Sequence, residues 1–146
     1  MPKVIFVTQD KQEITIDATN AILGRLSSYA AKQALQGKTI KIVNSEKAII
    51  IGSREDILGE YKEKVERGNP HHGPFFPRTA HLLIKRTIRG MLEYKTPKGR
   101  AAFERIKCYI GNEKKEQAEK IKTTQIATLK VPKYVTVEEI CKHVKG

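Results

Sequence analysis

The sequence has no tryptophan, and its only cysteines, Cys108 and Cys141, stand alone. Neither belongs to a C-x-x-C pair, and two isolated thiols are a poor framework for a disulfide-stapled secreted scaffold. No apolar run approaches the roughly 20 residues needed to span a bilayer. The opening "MPKVIFVTQDK" has a four-residue apolar run followed by polar residues, which is not a signal-peptide pattern. These absences predict a soluble intracellular protein.

Nucleotide and metal signatures are missing as well. There is no G-x-G-x-x-G, and "QGKT" (Gln36 to Thr39) is a false P-loop. A P-loop needs a glycine five residues before Gly37, where Lys32 stands, and it precedes a helix instead of following one. His71, His72 and His81 cluster without a correctly spaced cysteine, and adjacent histidine side chains diverge, so no zinc site is expected. Asp17, Glu46 and Asp56 read as turn and capping residues. No catalytic constellation, cofactor site or small-molecule substrate is expected.

Acidic residues are scarce in one place. The 146 residues hold 28 Lys and Arg against 16 Asp and Glu, a formal net charge of +12. Residues 1–66 are nearly balanced, with ten basic and nine acidic side chains. Residues 67–107 carry ten basic side chains, opposed only by Glu93 and Glu104. A solvated helix face usually interleaves Glu with Lys at i, i+4. This one does not, and arginine, whose planar fork binds phosphate bidentately, supplies a large share of the charge. The segment predicts a nucleic-acid surface. A membrane is disfavoured because Ile84, Ile88 and Leu92 are needed for the core and no exposed Trp or Phe anchor is read beside the cations.

The chain reads as a single α/β domain over residues 1–146. "KVIFV", "EITID", "KTIKIVN", "KAIII" and "KCYIG" are strand-like. Between them, "NAILGRLSSYAAKQALQG" is helical, with Leu23, Leu26, Ser27, Ala30 and Ala34 on one stripe, Thr19 or Asn20 as cap and Gly37 as terminator. "SREDILGEYKEKVE" is a second helix, with Ser53 and Asp56 at capping-box spacing. "RGNPHHGPFFPR" breaks the pattern, "TAHLLIKRTIRGML" resumes it, "KTPKG" is a turn and "RAAFERI" a short helix. "TVEEICKHV" closes the chain, with Thr136 and Glu139 as a capping box. His71 and His72, in the Pro-rich loop, are either base- or phosphate-contacting residues or solvated ones. Cations spread over loop, helix and turn suit an irregular folded RNA. Gly90, Gly99 and Ala101 would let another backbone approach closely.

The stretches "IDATNAILGRLSSYAAKQALQGKTIKIVNSEKAIIIG" and "RTIRGMLEYKTPKGRAAFERIKCYIG" closely resemble the large-subunit ribosomal protein L-thirteen family, over about residues 14–111. "NPHHGPFFPR" and "KTPKGR" look like its archaeal and eukaryotic branch, and the short length favours the archaeal type. The resemblance implies a three-layer α/β/α sandwich with a mostly parallel four-stranded sheet plus basic helical and loop extensions. It implies a structural, early-assembling, non-catalytic component of the large ribosomal subunit in the cytoplasm, bound to ribosomal RNA and neighbouring ribosomal proteins. Arg86, Arg89, Lys95, Lys98, Arg100, Arg105 and Lys107 match the family's RNA-facing cations, and Arg25 in "LGRL" matches a further family position. Arg78, Lys85, His71 and His72 join them as expected RNA-binding residues from the charge pattern. Family members often carry Pro where Glu93 stands and Trp or His near Tyr94, and "GNEKKE" replaces a usual Gly-x-Pro. The rival readings are a regulator that uses the same surface on messenger RNA away from the ribosome, and an enzyme with an unrecognised pocket.

Overall fold

The computed structural model describes residues 13–112 and 133–145. "KVIFV" lies outside them. Three strands pair in parallel in the order β1-β2-β4: β1 (Glu13–Asp17), β2 (Thr39–Val43) and β4 (Ile106–Cys108). Register aligns Ile14 with Ile40 and Ile106, and Ile16 with Ile42 and Cys108. Side chains alternate along a strand, so these aligned residues make one face, buried except at Ile14. The opposite face carries Lys41 beside Lys107.

Parallel strands need a crossover, and α1 (Leu23–Leu35) supplies the one between β1 and β2. All five residues of its expected stripe are buried, together with Ala31. Gly37, at φ 94°, ends it as expected, its N–H donating to the Ala34 carbonyl at 3.0 Å. The start differs from expectation. Thr19 and Asn20 do not cap the helix, because the Asp17 Oδ1 captures the Thr19 N–H (2.9 Å) and hydroxyl (2.7 Å) in a local turn. The N-cap is Ile22, whose backbone is fixed by a parallel bridge to Ile49.

Among the described residues this sheet has three strands. β3 (Ile49–Ile51) leaves it to pair antiparallel with β5 (Tyr134–Thr136), a three-residue strand too short to read from the sequence. Two helices flank this pair and pack on each other: α2 (Arg54–Glu66) and α5 (Val137–Lys145). Ser53 is the N-cap residue of α2 but makes no side-chain cap bond. At α5 the Thr136 hydroxyl accepts the Glu139 N–H at 3.3 Å, the expected cap.

α3 (Ala80–Met91) packs on α1 through buried Ala80, Leu83, Ile84 and Ile88, with Leu92 buried just beyond its end. Burying each of the larger side chains contributes about 1.5–3 kcal/mol. α4 (Pro97–Glu104) begins earlier than expected and absorbs most of "KTPKG". Thr96 caps it, accepting the Gly99 N–H at 3.1 Å, and Pro97 occupies the first turn, where no amide donor is required.

Candidate nucleic-acid interface

On α3, residues at i, i+3 and i+4 share a face. The apolar stripe points inward, which leaves Lys85 half-buried at its edge and Arg86 and Arg89 exposed. α4 continues the surface with exposed Lys98 and Arg100, and exposed Lys95 lies between the helices. None of these six cations forms an ion pair among the described residues. α2 behaves oppositely: Lys64 pairs with Glu60 at 2.8 Å, and Arg67, just past its end, with Glu63 at 3.0 Å.

Aromatic rings take the place of acids. The Arg89 guanidinium lies 4.3 Å from the Tyr94 ring centroid, with Arg100 6.0 Å from the same ring. Arg100 Nε also donates to the Tyr94 carbonyl at 3.2 Å. Lys85 stands 4.9 Å from the Phe103 ring, and Phe103 meets Tyr94 edge to face at 5.4 Å. Arg86 lies 5.5 Å from Phe76, which packs edge to face on Tyr61 at 6.0 Å. Lys64 is 4.9 Å from Tyr61 and 5.9 Å from Phe76. A ring's quadrupole attracts a cation without neutralising it. The ring-seated cations of α3 and α4 are therefore held in place while their positive charge stays available to an anion, whereas Lys64 also pairs with Glu60. An open groove of about 540 Å³ runs beside them, lined by Arg86, Arg89, Gly90, Tyr94, Lys95 and Thr96 among others.

Other expected site residues stand elsewhere. Arg78 is exposed just before α3. His71 and His72 are exposed in a turn closed by reciprocal Asn69–Gly73 hydrogen bonds of 3.2 and 2.8 Å. The Asn69 Oδ1 accepts the His71 N–H at 3.0 Å. Arg105 is half-buried and donates to the Ala34 carbonyl at 2.9 Å. Lys107 is exposed, but strand alternation turns it to the sheet face opposite Ile106 and Cys108 and so away from the face α3 covers. Arg25 is exposed on α1.

The ring seats Phe76, Tyr94 and Phe103 and the α2 cation Lys64 escaped sequence reasoning. The one available signal was that four of the chain's nine aromatics, Phe75, Phe76, Tyr94 and Phe103, fall in the basic segment. Phe75 corrects an expectation, since it is 71% exposed next to this surface. Gly99 departs from expectation too. A Cβ there would overlap the Glu93 carbonyl, so its smallness serves an internal contact, whereas Gly90 faces open space.

Of the three acids read as structural, Asp17 and Glu46 are so used. Asp17 staples its turn and also accepts from Asn44 Nδ2 at 3.1 Å, and Glu46 accepts the Gly111 N–H at 3.0 Å. Among the described residues no group of three or more His, Cys, Asp or Glu could hold a metal ion. No helix among them is long and apolar enough to cross a membrane. Burial pushes the Cys108 thiol up to about 12, against the nearby Lys85 ammonium, which lowers it.

Residues 11–115 match the family model described as Ribosomal protein L13. The chain belongs to that family. Every residue expected to bind RNA lies inside the matched span. This L13 family member is 42% identical to the large ribosomal subunit protein uL13 of Methanopyrus kandleri, over 90% of this chain and 86% of the relative. It is 45% identical to the protein of the same name from Methanocaldococcus jannaschii, over 88% of this chain and 94% of the relative. With the one from Haloarcula marismortui the identity is 40%, over 92% of each chain. These relatives are archaeal, matching the branch indicated by "NPHHGPFFPR" and "KTPKGR".

Proposed function

We propose that this L13 family member is a structural constituent of the large ribosomal subunit that binds and stabilises folded ribosomal RNA through its basic surface during assembly. The names of its relatives support placement in the large subunit. The observation that carries RNA binding is the set of ring-seated cations without acidic partners on α3 and α4. Arg86, Arg89 and Arg100 form the centre of the contact, with Arg78, Lys85, Lys95 and Lys98 around it. Arg25, His71, His72, Arg105 and Lys107 contribute from other elements, as a folded RNA surrounding one domain of residues 1–146 requires. The complete domain is the three-layer sandwich with a four-stranded sheet, and its neighbours include other ribosomal proteins.

The mechanism is charge neutralisation. Each phosphate that a Lys or Arg neutralises releases condensed counterions, so affinity falls linearly with salt on a logarithmic scale. Phosphate contacts set position, and RNA shape sets specificity. No step calls for a catalytic group or a cofactor, so the chain is not an enzyme. The test is sedimentation of a cytoplasmic lysate on a sucrose gradient at moderate salt, blotting for this chain. Co-migration with large subunits, abolished only at high salt, is the expected result. A peak confined to the top fractions would overturn the ribosomal role and point to the messenger-RNA alternative.

A further inference from the structure

Phe75 and Phe76 are adjacent and have opposite environments. Phe76 is drawn inward against Tyr61 and under Arg86, whereas Phe75 is 71% exposed, the most exposed large apolar side chain among the described residues. Neighbouring side chains of an extended segment point to opposite sides, so anchoring Phe76 turns Phe75 outward. Its ring rests on the Gly73 backbone, where a Cβ would stand 3.1 Å from two ring carbons. Gly73 has φ 76°, a conformation that suits glycine, and it is bonded both ways to Asn69. The ring is therefore displayed from a closed turn. Exposed Arg78 lines the same groove, which has a volume of about 530 Å³, as does Arg67, whose guanidinium is paired with Glu63 at 3.0 Å.

An exposed aromatic face beside an exposed guanidinium has the two elements of a single-stranded nucleic-acid site: a stacking platform and charge for the backbone. We propose that Phe75 stacks on an unpaired nucleobase of the bound RNA, with Arg78 holding a flanking phosphate. The proposal rests on the RNA-binding reading above and deepens it: this edge takes a splayed single-stranded nucleotide, and the α3–α4 surface takes phosphates of folded RNA. Stacking is tolerant of base identity, since every base has a π-face.

The test uses the full chain and a dodecamer of oligoadenylate carrying one central 2-aminopurine, whose fluorescence is quenched by aromatic stacking. Titration at low salt should give binding with quenching. Phe75→Leu should abolish the quench and bind about tenfold more weakly, with its salt dependence unchanged, while Phe75→Tyr keeps both signals. Such an exposed ring is not a core element, and unchanged circular dichroism of the leucine variant verifies its fold. Arg86→Ala combined with Arg89→Ala should flatten the salt dependence and leave the quench at saturation. Binding without any quench, or a quench that survives Phe75→Leu, overturns the stacking site and leaves RNA binding by the basic surface standing. Failure of the unaltered chain to bind RNA overturns both. If Phe75→Leu binds the probe normally yet no longer co-sediments with large subunits, Phe75 docks a protein neighbour, and the stacking proposal is overturned.

Discussion

The guanidinium of Arg105 donates a 2.9 Å hydrogen bond to the carbonyl of Ala34, across 71 residues of sequence. It meets α1 in its last turn, as a second donor to a carbonyl that also accepts the Gly37 N–H, where the negative end of the helix dipole favours a cation. The Arg105 carbonyl in turn accepts the Ile40 N–H at 2.9 Å. One residue thus ties the end of α4 to both α1 and β2. Arg105→Ala is expected to lower the unfolding free energy by roughly 1–3 kcal/mol, read as a lower urea midpoint. Arg100→Ala, on an exposed side chain, should leave the midpoint nearly unchanged. Equal midpoints for both variants would deny Arg105 this structural role.

Arg86 and Arg89 stand on the solvent side of α3 and their charges meet rings, not acids. Replacing both by alanine should leave the melting temperature within a few degrees of the unaltered protein. Affinity for large-subunit RNA should fall, and the logarithmic salt slope should drop by about one for each phosphate that is no longer neutralised. Filter binding at several salt concentrations reads both quantities. An unchanged slope would place the RNA phosphates elsewhere, and an unfolded variant would make these residues structural.

Two glycines in the basic segment should answer alanine in opposite ways. Gly99→Ala forces a methyl into the Glu93 carbonyl, and overpacking of this kind costs about 1–3 kcal/mol. Gly90→Ala meets nothing within 4 Å. In a helix it should stabilise the free protein by roughly 0.5–1 kcal/mol. If RNA closes on the groove beside Gly90, the same methyl weakens binding although it strengthens the fold. Thermal melts and RNA titrations of the two variants separate these effects.

Cys108 gives a pH dependence of definite sign. Burial raises its thiol from the ordinary 9.0 to about 12 in the folded chain. Above pH 9 the unfolded chain therefore loses this proton first. Stability is full below 9 and declines up to about 12, by at most about 1.4 kcal/mol per pH unit. The Tyr61 hydroxyl, raised by burial and then by Glu60, adds a decline of the same sign. Cys108→Ala should make the fall in urea midpoint between pH 9 and 11 shallower. A slope identical to that of the unaltered protein would mean that the thiol is not desolvated. Near neutral pH the native thiol should also resist alkylation, in keeping with its buried position.

Where side chains at a regular period meet a core, the sequence was legible. Leu23, Leu26, Ala30 and Ala34 on α1, and Ile84 and Ile88 on α3, are buried. The basic segment was legible because charge imbalance is a compositional property. Contacts that depend on distant partners were not. Ile22 becomes a helix cap because Ile49 pairs beside it, and β3 leaves the main sheet because Tyr134–Thr136, more than eighty residues onward, lies alongside it. Arg105 and Lys107 read, like Arg100, as RNA-facing cations of the basic segment. A carbonyl on α1 holds the first, and strand alternation carries the second to the other side of the sheet. Nor could counting charges reveal that cations rest on Tyr94, Phe103 and Phe76, because that pairing joins residues from different elements.

The strand order has a consequence for synthesis. β4 lies at the edge of β1-β2-β4 and consists of residues that follow the whole of α3 and α4. A chain growing from its N-terminus cannot add this strand until every cation from Arg67 to Arg105 has been made. Until then Ile40 and Ile42 lack the Ile106 and Cys108 neighbours they have in the finished sheet, and an open strand edge invites mispairing. A nascent or broken chain that stops within the basic stretch is therefore both poorly charged and poorly folded.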